Sequence, residues 1–438
     1  MPRMKLSYKK PRGVPRMQFS LSLRPCLENQ TRYHDQTCEP SCTETFDRKK
    51  PCTNGSSFRC QCLKGYRRHG LSCMLPLDCP NAPKSCADPN AVVDPCGQAC
   101  PQLTLKAGVQ LFWLFACVVA DLKQSWQAYK VKYGKSYASA IEDQARFRIF
   151  IRHKKMVDKH NERYEAGLES FSMQLHEFSD SFPEEERSCY KEGSRSDSKI
   201  ITGVDAQLQA LIAEAEKATG TEGMRKSVDW RKENKVTAIK NQGYCGSCWA
   251  EGAVAAIESR HAIAGHPLVN LSVQQVVDCD AYDKGCGGGN AANAMRYIKE
   301  AGGLETEQKY PYEAENDQCR QQPADFVAHV AGYAQLTMSE IAMARIVDKH
   351  GPIAVAIATS TKFKHYRHNV LVDPNCNLLP ISHEVTIVGY NIEESTEKPY
   401  WILKNSWGTS RGEQGYWRIL FGHRTCHIGA VVAIPKVR

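Results

Sequence analysis

The sequence has no long hydrophobic run. No stretch approaches the 18 or so apolar residues that span a bilayer, which argues against stable membrane insertion. The net charge of +9 is small for 438 residues, and the basic side chains are not interleaved with aromatic ones, which argues against nucleic-acid binding. The hydrophobic fraction of 42% excludes a chain that is disordered throughout. At roughly 150 residues per domain, the length predicts two or three units.

Cysteine, by contrast, is abundant. The chain has 20 cysteines, and more than half of them lie in the first 100 residues. Such a density is typical of small secreted disulfide frameworks, which a reducing cytosol would not sustain. The sparser cysteines that follow suit a larger domain with its own core. Residues 1–25 form a basic segment without the apolar stretch of a signal peptide.

Residues 26–79 carry eight cysteines among polar residues, with little hydrophobic periodicity, so disulfides would hold this segment together. The segments Cys-Glu-Pro-Ser-Cys (38–42) and Cys-Gln-Cys (60–62) resemble those of a trypsin-inhibitor-like module. Two of that family's cysteines, which pair with each other, are absent here. The resemblance implies the bridges Cys26–Cys60, Cys38–Cys52, Cys42–Cys79 and Cys62–Cys73. The sequence alone leaves the pairing open.

Two roles remain open for this module. An inhibitor would present the loop from Lys50 to Thr53 to a trypsin-like serine protease, whereas a spacer or adhesive module would have no protease target. Residues 80–105 resemble the opening of a second module that stops after three cysteines, and this fragment is not expected to fold alone.

Residues 106–120 contain the apolar run VQLFWLFACVVA, which is too short to span a bilayer. A preceding lysine and the small residues that end the run are typical of a signal peptide. The alternative is a buried hydrophobic helix. A signal peptide here would mean that residues 1–105 and 106–438 are two units joined by alternative splicing or gene-model error, with secretion starting near Lys106.

Residues 121–190 are charged and have a helical pattern. One helix face would carry Glu142, Arg146, Phe150, His153, Val157 and Asn161. This spacing resembles a motif of cathepsin L-like propeptides, with His153 where asparagine is usual. The segment Phe178-Ser179-Asp180 resembles the end of a second such motif, in which Gln174 and His176 replace glycine and asparagine. We therefore predict an inhibitory propeptide, and the alternative is an amphipathic surface helix.

Residues 191–224 are rich in Ser, Gly, Lys and Glu. They predict an exposed, protease-accessible linker that contains a short helix within 204–218.

The stretch from Gln242 to Ala250, QGYCGSCWA, contains Cys245 and Cys248. Most buried cysteines are inert, and a Cys-x-x-Cys pair is also found in redox and zinc sites. No second pair of cysteines or histidines completes a zinc set here. The apolar spacing after Cys248 predicts a helix, and a thiol at a helix N-terminus is shifted towards the thiolate form.

Two further segments follow this stretch: Ser382-His383-Glu384-Val385 and Asn405-Ser406-Trp407-Gly408. Together with Gln242 and Cys248 they resemble the active-site segments of papain-family cysteine proteases of the cathepsin L-like group. The resemblance covers about residues 121–438, and 225–438 would be the peptidase domain. It implies an α+β fold with a helical lobe, a β-barrel-like lobe and a cleft between them. The propeptide would occupy that cleft until acid weakens its ionic contacts.

The resemblance also implies roles. Cys248 attacks the peptide carbonyl as a thiolate, and His383 moves the proton. Asn405 orients the imidazole, and Trp407 shields their hydrogen bond. The Gln242 amide and the Cys248 N–H donate to the oxyanion. Substrates would be proteins or peptides, the enzyme would be lysosomal or extracellular, and no metal or organic cofactor is implied.

The resemblance implies three disulfides in 225–438: Cys245–Cys286, Cys279–Cys319 and Cys376–Cys426. Cys248 would then be a free thiol, and Cys189 has no evident partner. Gly288 and Gly289 would line the cleft where substrate backbone pairs closely. The second specificity pocket, formed by Ala291, Ile381 and Val431, would take a hydrophobic side chain.

Four residues depart from the family pattern. Glu251 stands where an aromatic residue usually packs, and a buried carboxylate must find a partner, stay protonated or reach water. Glu384 follows His383 and would either stabilise the imidazolium or crowd the site. Arg411 replaces a tryptophan, and His427 replaces a glycine. Two alternatives to an active protease follow: a catalytically inactive papain-fold binding protein, or a serine protease inhibitor acting through 26–79.

Overall fold

The computed structural model describes residues 121–182, 185, 188–190, 206–393 and 398–438, together with the backbone of six short strands in residues 1–120. These strands pair antiparallel as β1 with β2, β3 with β4 and β5 with β6. They are β1 (Gln30–Tyr33), β2 (Arg59–Cys62), β3 (Arg67–His69), β4 (Ser72–Met74), β5 (Ala91–Val93) and β6 (Ala99–Pro101). The disulfides predicted for 26–79 and the signal-like run at 106–120 lie outside the described residues. Within the described part, no helix is long and apolar enough to cross a membrane.

A second unit covers Leu122–Arg438 and begins with two helices, α1 (121–133) and α2 (Ala140–Glu165). Ser139 begins α2, since its hydroxyl accepts the N–H of Glu142 at 3.1 Å while the Glu142 carboxylate accepts the N–H of Ala138. This is close to a capping box, except that the Glu142 carboxylate bonds the residue before the cap rather than Ser139 itself. The helix predicted from the spacing between Glu142 and Asn161 is therefore present.

Aromatic side chains hold these two helices together. Trp126 lies 5.4 Å from Tyr129 and 5.1 Å from Phe150, measured between ring centroids, and all three are buried. The buried carboxylate of Asp180 accepts hydrogen bonds from the hydroxyls of Tyr129 and Tyr137. The chain after α2 is thus fixed back onto α1 and forms a small core of its own.

The helical lobe consists of α4 (Cys248–Ile263), α5 (Val273–Cys279) and α6 (Ala291–Ala301). Every residue of α4 from Cys248 to Ala262 is buried, which its many alanines and Gly252 permit. The other two helices begin at polar caps: Ser272 accepts the N–H of Gln275, and Asn290 accepts the N–H of Ala292. Such caps satisfy N–H groups that have no partner within the helix.

A nine-stranded sheet forms the other lobe. Its strands are β7 (Phe171–Met173), β8 (Ser227–Asp229), β9 (Val330–Leu336), β10 (Ile353–Ala358), β11 (Tyr366–Leu371), β12 (Ile381–Asn391), β13 (Tyr400–Lys404), β14 (Tyr416–Leu420) and β15 (Val431–Val437). They lie in the order β7-β11-β14-β13-β12-β10-β15-β9, with β8 paired to β12. The pairing of β11 with β14 is parallel, and the other pairs are antiparallel. Two helices, α7 (Glu340–His350) and α8 (Thr361–Lys364), accompany the sheet. Short 3-10 helices occur at Gly285–Gly287, Pro323–Asp325, Pro374–Leu378 and Thr425–His427. The predicted division into a helical and a β lobe is present.

The helix α3 (Ala206–Glu216) falls within the predicted linker, 191–224. Leu208, Ile212 and Ala215 lie on one face, are buried and pack towards α7 in the main core. The prediction of an exposed linker is therefore wrong for this helix. The reason is that apolar residues at spacings of three and four form a stripe, and a long neighbouring helix is present to cover it.

Replacing Leu208 by alanine tests this packing. Leu208 is only 2% exposed, so Leu208→Ala should lower the free energy of unfolding by about 2–5 kcal/mol. Gln209→Ala on the exposed face of the same helix is the matched control and should change it by less than about 0.5 kcal/mol. Urea denaturation of the full chain measures both. Equal effects from the two variants would show that α3 does not pack as described.

Candidate active site

Cys248 is the first residue of α4 and is fully buried. Its sulfur accepts the N–H of Glu384 at 3.3 Å. The N–H of Cys248 itself lies in the first turn, where no intrahelical acceptor exists. The disulfide Cys245–Cys286 fixes the chain just before the helix, and a Cβ at Gly246 would lie 2.6 Å from the Cys286 carbonyl oxygen. Only glycine fits there, so the approach to Cys248 is rigidly set.

His383 lies on β12 of the other lobe and is almost fully buried. Its Nε2 donates to Oδ1 of Asn405, which follows β13, at 2.8 Å. Trp407 stacks on the imidazole with ring centroids 4.6 Å apart. Burial lowers the pKa of His383 to about 4, although the bond to Asn405 acts in the opposite direction. A neutral ring that carries its proton on Nε2 offers a lone pair at Nδ1.

Gln242 connects the two lobes beside Cys248. Its amide nitrogen donates to the carbonyl of Cys245 at 2.9 Å, and its amide oxygen accepts the hydroxyl of Ser406 at 2.7 Å. The amide nitrogen carries a second hydrogen, which is not needed for the bond to the Cys245 carbonyl. The side chain is thereby held in place with one N–H that can serve a ligand.

Cys189 is joined to Cys248 by a disulfide, with Cα atoms 5.8 Å apart. The expectation that Cys189 is unpaired and that Cys248 is a free thiol is wrong for this state of the protein. The sequence gives little indication of the pair, because 59 residues separate the two cysteines and only the path of the chain through the cleft brings them together. The other three bridges are Cys245–Cys286, Cys279–Cys319 and Cys376–Cys426, as the family resemblance implied.

The segment 188–190 passes between the two lobes. On one side, Gly289 donates its N–H to the carbonyl of Cys189 at 3.0 Å; on the other, Tyr190 donates its N–H to the carbonyl of Ser382 at 3.3 Å. A Cβ at Gly289 would lie 2.6 Å from the indole of Trp249, so glycine is required there. Gly289 therefore pairs with the propeptide backbone, and its pairing with a substrate backbone stays a prediction. Its neighbour Gly288, at φ +101°, bonds instead within its own turn.

Two of the three residues predicted for the second specificity pocket line one cavity, and the pocket's role stays a prediction. Ile381 and Val431 line a cavity of about 600 Å³ that also borders Tyr190. His427 is part of the same lining, and one of its ring nitrogens lies 3.0 Å from the carbonyl of Leu379. Ala291 does not line this cavity. It is buried at the start of α6, where its N–H donates to the carboxylate of Glu384 at 2.9 Å.

The bond between Ala291 and Glu384 shows where the Glu384 side chain lies relative to the imidazole of His383. Successive residues of a strand point to opposite faces, so the carboxyl of Glu384 faces α6 while His383 faces the cleft. Burial raises the pKa of Glu384 well above its usual range. Glu384 therefore neither stabilises the imidazolium nor crowds the site through its side chain.

Glu251 lies one turn after Cys248 and borders a cavity of about 10 Å³ together with Lys240 and Lys404. Both lysines are engaged with Glu258, at 3.1 Å and 3.8 Å respectively. Oε1 of Glu251 has no hydrogen-bond partner among the described residues. Burial raises the pKa of Glu251 to about 7, although Lys240 opposes the shift. Of the three outcomes considered for this carboxyl, protonation below neutral pH is the one that the surroundings favour.

Three histidine rings meet where the N-terminal helices contact the sheet lobe. His365 lies 4.8 Å from His153 and 4.6 Å from His176, measured between ring centroids. Burial lowers the pKa of His365 to about 3 and that of His176 well below its usual value, and the positive charge of Arg411 acts in the same direction. Lys364 adds to this repulsion.

Arg411 itself spans the same contact. Its guanidinium lies 4.4 Å from the ring of Trp407 and 3.9 Å from the carboxylate of Glu177, and it donates to the carbonyl of Lys364. The tryptophan that Arg411 replaces in the family pattern is thus exchanged for a cation that binds the segment 121–190.

Comparisons with known proteins identify the family. Residues 224–436 match the papain family of cysteine proteases, and residues 126–185 match the cathepsin propeptide inhibitor domain. A cathepsin L-like peptidase of Aedes aegypti is 36% identical over 322 residues, which are 72% of this chain and 94% of that protein. The chain belongs to the papain family of cysteine proteases. A digestive cysteine proteinase of Homarus americanus is also 36% identical, over 74% of this chain and 98% of its own length.

Solved structures of related proteins support the same family assignment. The digestive procathepsin L2 proteinase of Tenebrio molitor has a TM-score of 0.63 and 32% identity, with 72% of this chain and 99% of that chain covered. The stem bromelain precursor has a TM-score of 0.60 and 30% identity, over 72% and 99% of the two chains. The protein therefore has the papain-like fold with a helical propeptide and is a cysteine protease zymogen. The inhibitor and the inactive binding protein are not favoured.

The histidine contact makes a prediction about acid activation. Because the docked propeptide lowers the pKa of His176 and His365, docking is strongest above about pH 6.5 and weakens as the pH falls below it. His176→Gln removes one group that takes up a proton on undocking. The pH midpoint of autoprocessing, measured by gel in the presence of dithiothreitol, should shift to lower pH.

The control for this experiment is His423→Gln, which changes an exposed histidine far from any of the three rings in sequence. It should leave the midpoint unchanged. An unchanged midpoint for a folded His176→Gln would mean that the histidine contact does not sense pH.

The buried carboxyl of Glu251 makes a second prediction. Its pKa is about 7 when folded and about 4.3 when unfolded, so the folded protein holds the extra proton between these values and loses stability as the pH rises through them. At about pH 8, Glu251→Gln should raise the free energy of unfolding by about 1–3 kcal/mol; at about pH 4.5 the change should be small.

Urea denaturation at both pH values, in a Cys248→Ala background that prevents self-cleavage, measures the effect. Glu222→Gln, at an exposed site, is the control. If Glu251→Gln shifts stability equally at both pH values, the carboxyl does not titrate as described.

Proposed function

We propose that the chain is a cysteine-type endopeptidase that cleaves peptide bonds through a Cys248 thiolate and an acyl-enzyme intermediate. The observation that carries this proposal is the placement of His383. Its Nε2 bonds Asn405 at 2.8 Å, and its Nδ1 lies 3.3 Å from the Cys189 sulfur, which is bonded to the Cys248 sulfur. One ring nitrogen of His383 lies within 4.8 Å of the Cys248 sulfur itself. A buried imidazole with one nitrogen oriented and the other facing a sulfur is the arrangement that a thiol nucleophile needs.

The geometry supports the following sequence once the Cys248 sulfur is free. Nδ1 of His383 takes the thiol proton, while the N–H of Glu384 and the N-terminus of α4 stabilise the thiolate. The thiolate attacks the carbonyl carbon, and the oxyanion receives the Cys248 N–H and the second amide hydrogen of Gln242. The imidazolium then protonates the leaving amine. Water, deprotonated by the same imidazole, hydrolyses the thioester.

The substrate would bind as an extended chain. The pairing of the propeptide backbone with Gly289 supports this, because a substrate backbone could use the same N–H. The cavity lined by Ile381 and Val431 would receive an apolar side chain. A groove of this type binds mainly the peptide backbone and selects for only one substrate side chain. Such limited selectivity suits a protease with many protein substrates.

For location, we propose the secretory pathway, with an extracellular or lysosomal site of action. Four described disulfides support an oxidising compartment during folding.

For residues 26–79 we propose a trypsin-inhibitor-like module, which the cysteine spacing supports. A trypsin-like serine protease would be its partner.

The function is tested with the full chain, secreted, acidified and treated with thiol. A thiol-directed epoxide should form an adduct on Cys248, located by mass spectrometry, and a hydrophobic dipeptide amide should be hydrolysed. Cys248→Ala should abolish both. Gln242→Ala should lower kcat by about 100-fold to 1,000-fold, since it removes one oxyanion donor. Gln318→Ala, an exposed change, should have no effect. Folded, processed protein that neither forms the epoxide adduct nor hydrolyses the dipeptide amide would contradict the proposal.

A further inference from the structure

The disulfide between Cys189 and Cys248 has no part in peptide hydrolysis. We infer that it is a latch, by which the propeptide holds the nucleophile as a disulfide so that the zymogen is activated only after reduction. The inference rests on the proposed role of Cys248 as the nucleophile. Cys189–Cys248 is called the disulfide latch below.

The backbone, rather than the two sulfurs, sets the position of Cys189. Its carbonyl is held by Gly289 on the helical lobe, and the next residue is held by Ser382 on the sheet lobe. The hydroxyl of Ser188 donates to the same Ser382 carbonyl at 3.2 Å. Hydrogen bonds to the helical lobe and to the sheet lobe therefore hold Cys189 over the first turn of α4 independently of the disulfide.

The Cys189 side chain packs closely against the start of α4 and the imidazole. A Cβ at Gly246 would lie 3.4 Å from the Cβ of Cys189, so Cys189 lies directly beside the residue two positions before Cys248. Nδ1 of His383 lies 3.3 Å from the Cys189 sulfur. Cys189 therefore fills the space where a group bound to the nucleophile would lie, directly between Cys248 and the imidazole.

No other pairing competes for these two sulfurs within 121–438. The remaining six cysteines of that range form three disulfides with one another. Both latch sulfurs are buried, Cys189 being 4% exposed and Cys248 0%. The ligand atoms of Cys189, Cys248 and His383 are close enough to hold a metal ion, but two sulfurs bonded to each other offer no thiolate for one.

The consequence is a second condition for activation. Acid weakens propeptide docking, but a capped sulfur cannot attack a peptide, so the zymogen cannot cleave itself. Cleavage by another protease after residue 190 would leave the propeptide covalently attached at the nucleophile. Release therefore needs both acid and a thiol reductant.

The chemistry balances with a dithiol as the co-reactant. A thiolate of the dithiol attacks the Cys189 sulfur, the bond between the two cysteines breaks, and Cys248 leaves with the electron pair as a thiolate. The second thiolate then attacks the mixed disulfide, which frees Cys189 and leaves the dithiol as a cyclic disulfide, oxidised by two electrons. Cys248 is the better leaving group, since the α4 N-terminus and the Glu384 N–H stabilise its thiolate. Formation is the reverse exchange with a disulfide oxidant, which is reduced to two thiols.

The experiment compares full-length wild type with Cys189→Ser, which replaces only the sulfur. Both are purified without thiol and brought to about pH 5, with and without dithiothreitol. In wild type, dithiothreitol should raise the rate of Cys248 labelling by the epoxide by about 100-fold or more, because no thiolate exists before reduction. Cys189→Ser should label without thiol, with less than about a threefold further increase. Gln318→Ala, which changes an exposed residue outside the segment 188–190, should behave as wild type.

A direct readout is peptide mapping without reductant. Trypsin cleaves after Arg187 and Lys191, so residues 188–191 should be recovered joined to residues 241–260. The latter stay joined to residues 285–296 through Cys245–Cys286, and dithiothreitol should separate all three peptides. Wild type that labels without thiol as fast as Cys189→Ser, or peptides that are not joined, would overturn the latch and leave the proposed function standing. Folded Cys189→Ser that neither labels nor turns over substrate with thiol present would overturn both.

Discussion

The burial of α4 on all sides is the constraint on which the rest of this zymogen depends. The helix packs against α5 and α6 on one side and against the sheet on the other, so its first residue, Cys248, lies at the boundary between the two lobes. Complete burial also forces its charged side chains into the interior. Glu258 is satisfied by Lys240 and Lys404, whereas Glu251 keeps one oxygen without a partner among the described residues. The nucleophile and the pH-sensitive cluster behind it are therefore consequences of one packing arrangement.

The propeptide exploits the same boundary in three ways. It adds β7 to the edge of the sheet, brings two histidines and Glu177 against the sheet lobe, and passes its backbone between Gly289 and Ser382. Each contact uses a different property: backbone pairing does not depend on pH in this range, His176 responds to acid, and the disulfide responds to reductant. A zymogen built in this way combines independent conditions in one inhibitory segment.

Much of this could be predicted from local sequence. The apolar spacing after Cys248 predicted α4, and the spacing from Glu142 to Asn161 predicted α2, because helical periodicity is a property of neighbouring residues. Long-range features were different. The stripe on α3 gave no sign of which surface covers it, and the direction of Glu384 depended on the pleat of β12. The partner of Cys189 could not be inferred from spacing, since a disulfide reports proximity in space.

The sequence by itself determined the family, the two-lobed α+β fold and the residues able to perform thiol-based hydrolysis, because motifs and apolar periodicity are written in consecutive residues. Only the tertiary structure decided the state of that site. It placed Cys189 against Cys248, turned Glu384 towards Ala291 and enclosed Glu251. The physical reason is that pairing, burial and the resulting pKa depend on groups that are distant in the chain and meet only when the lobes and the propeptide pack together.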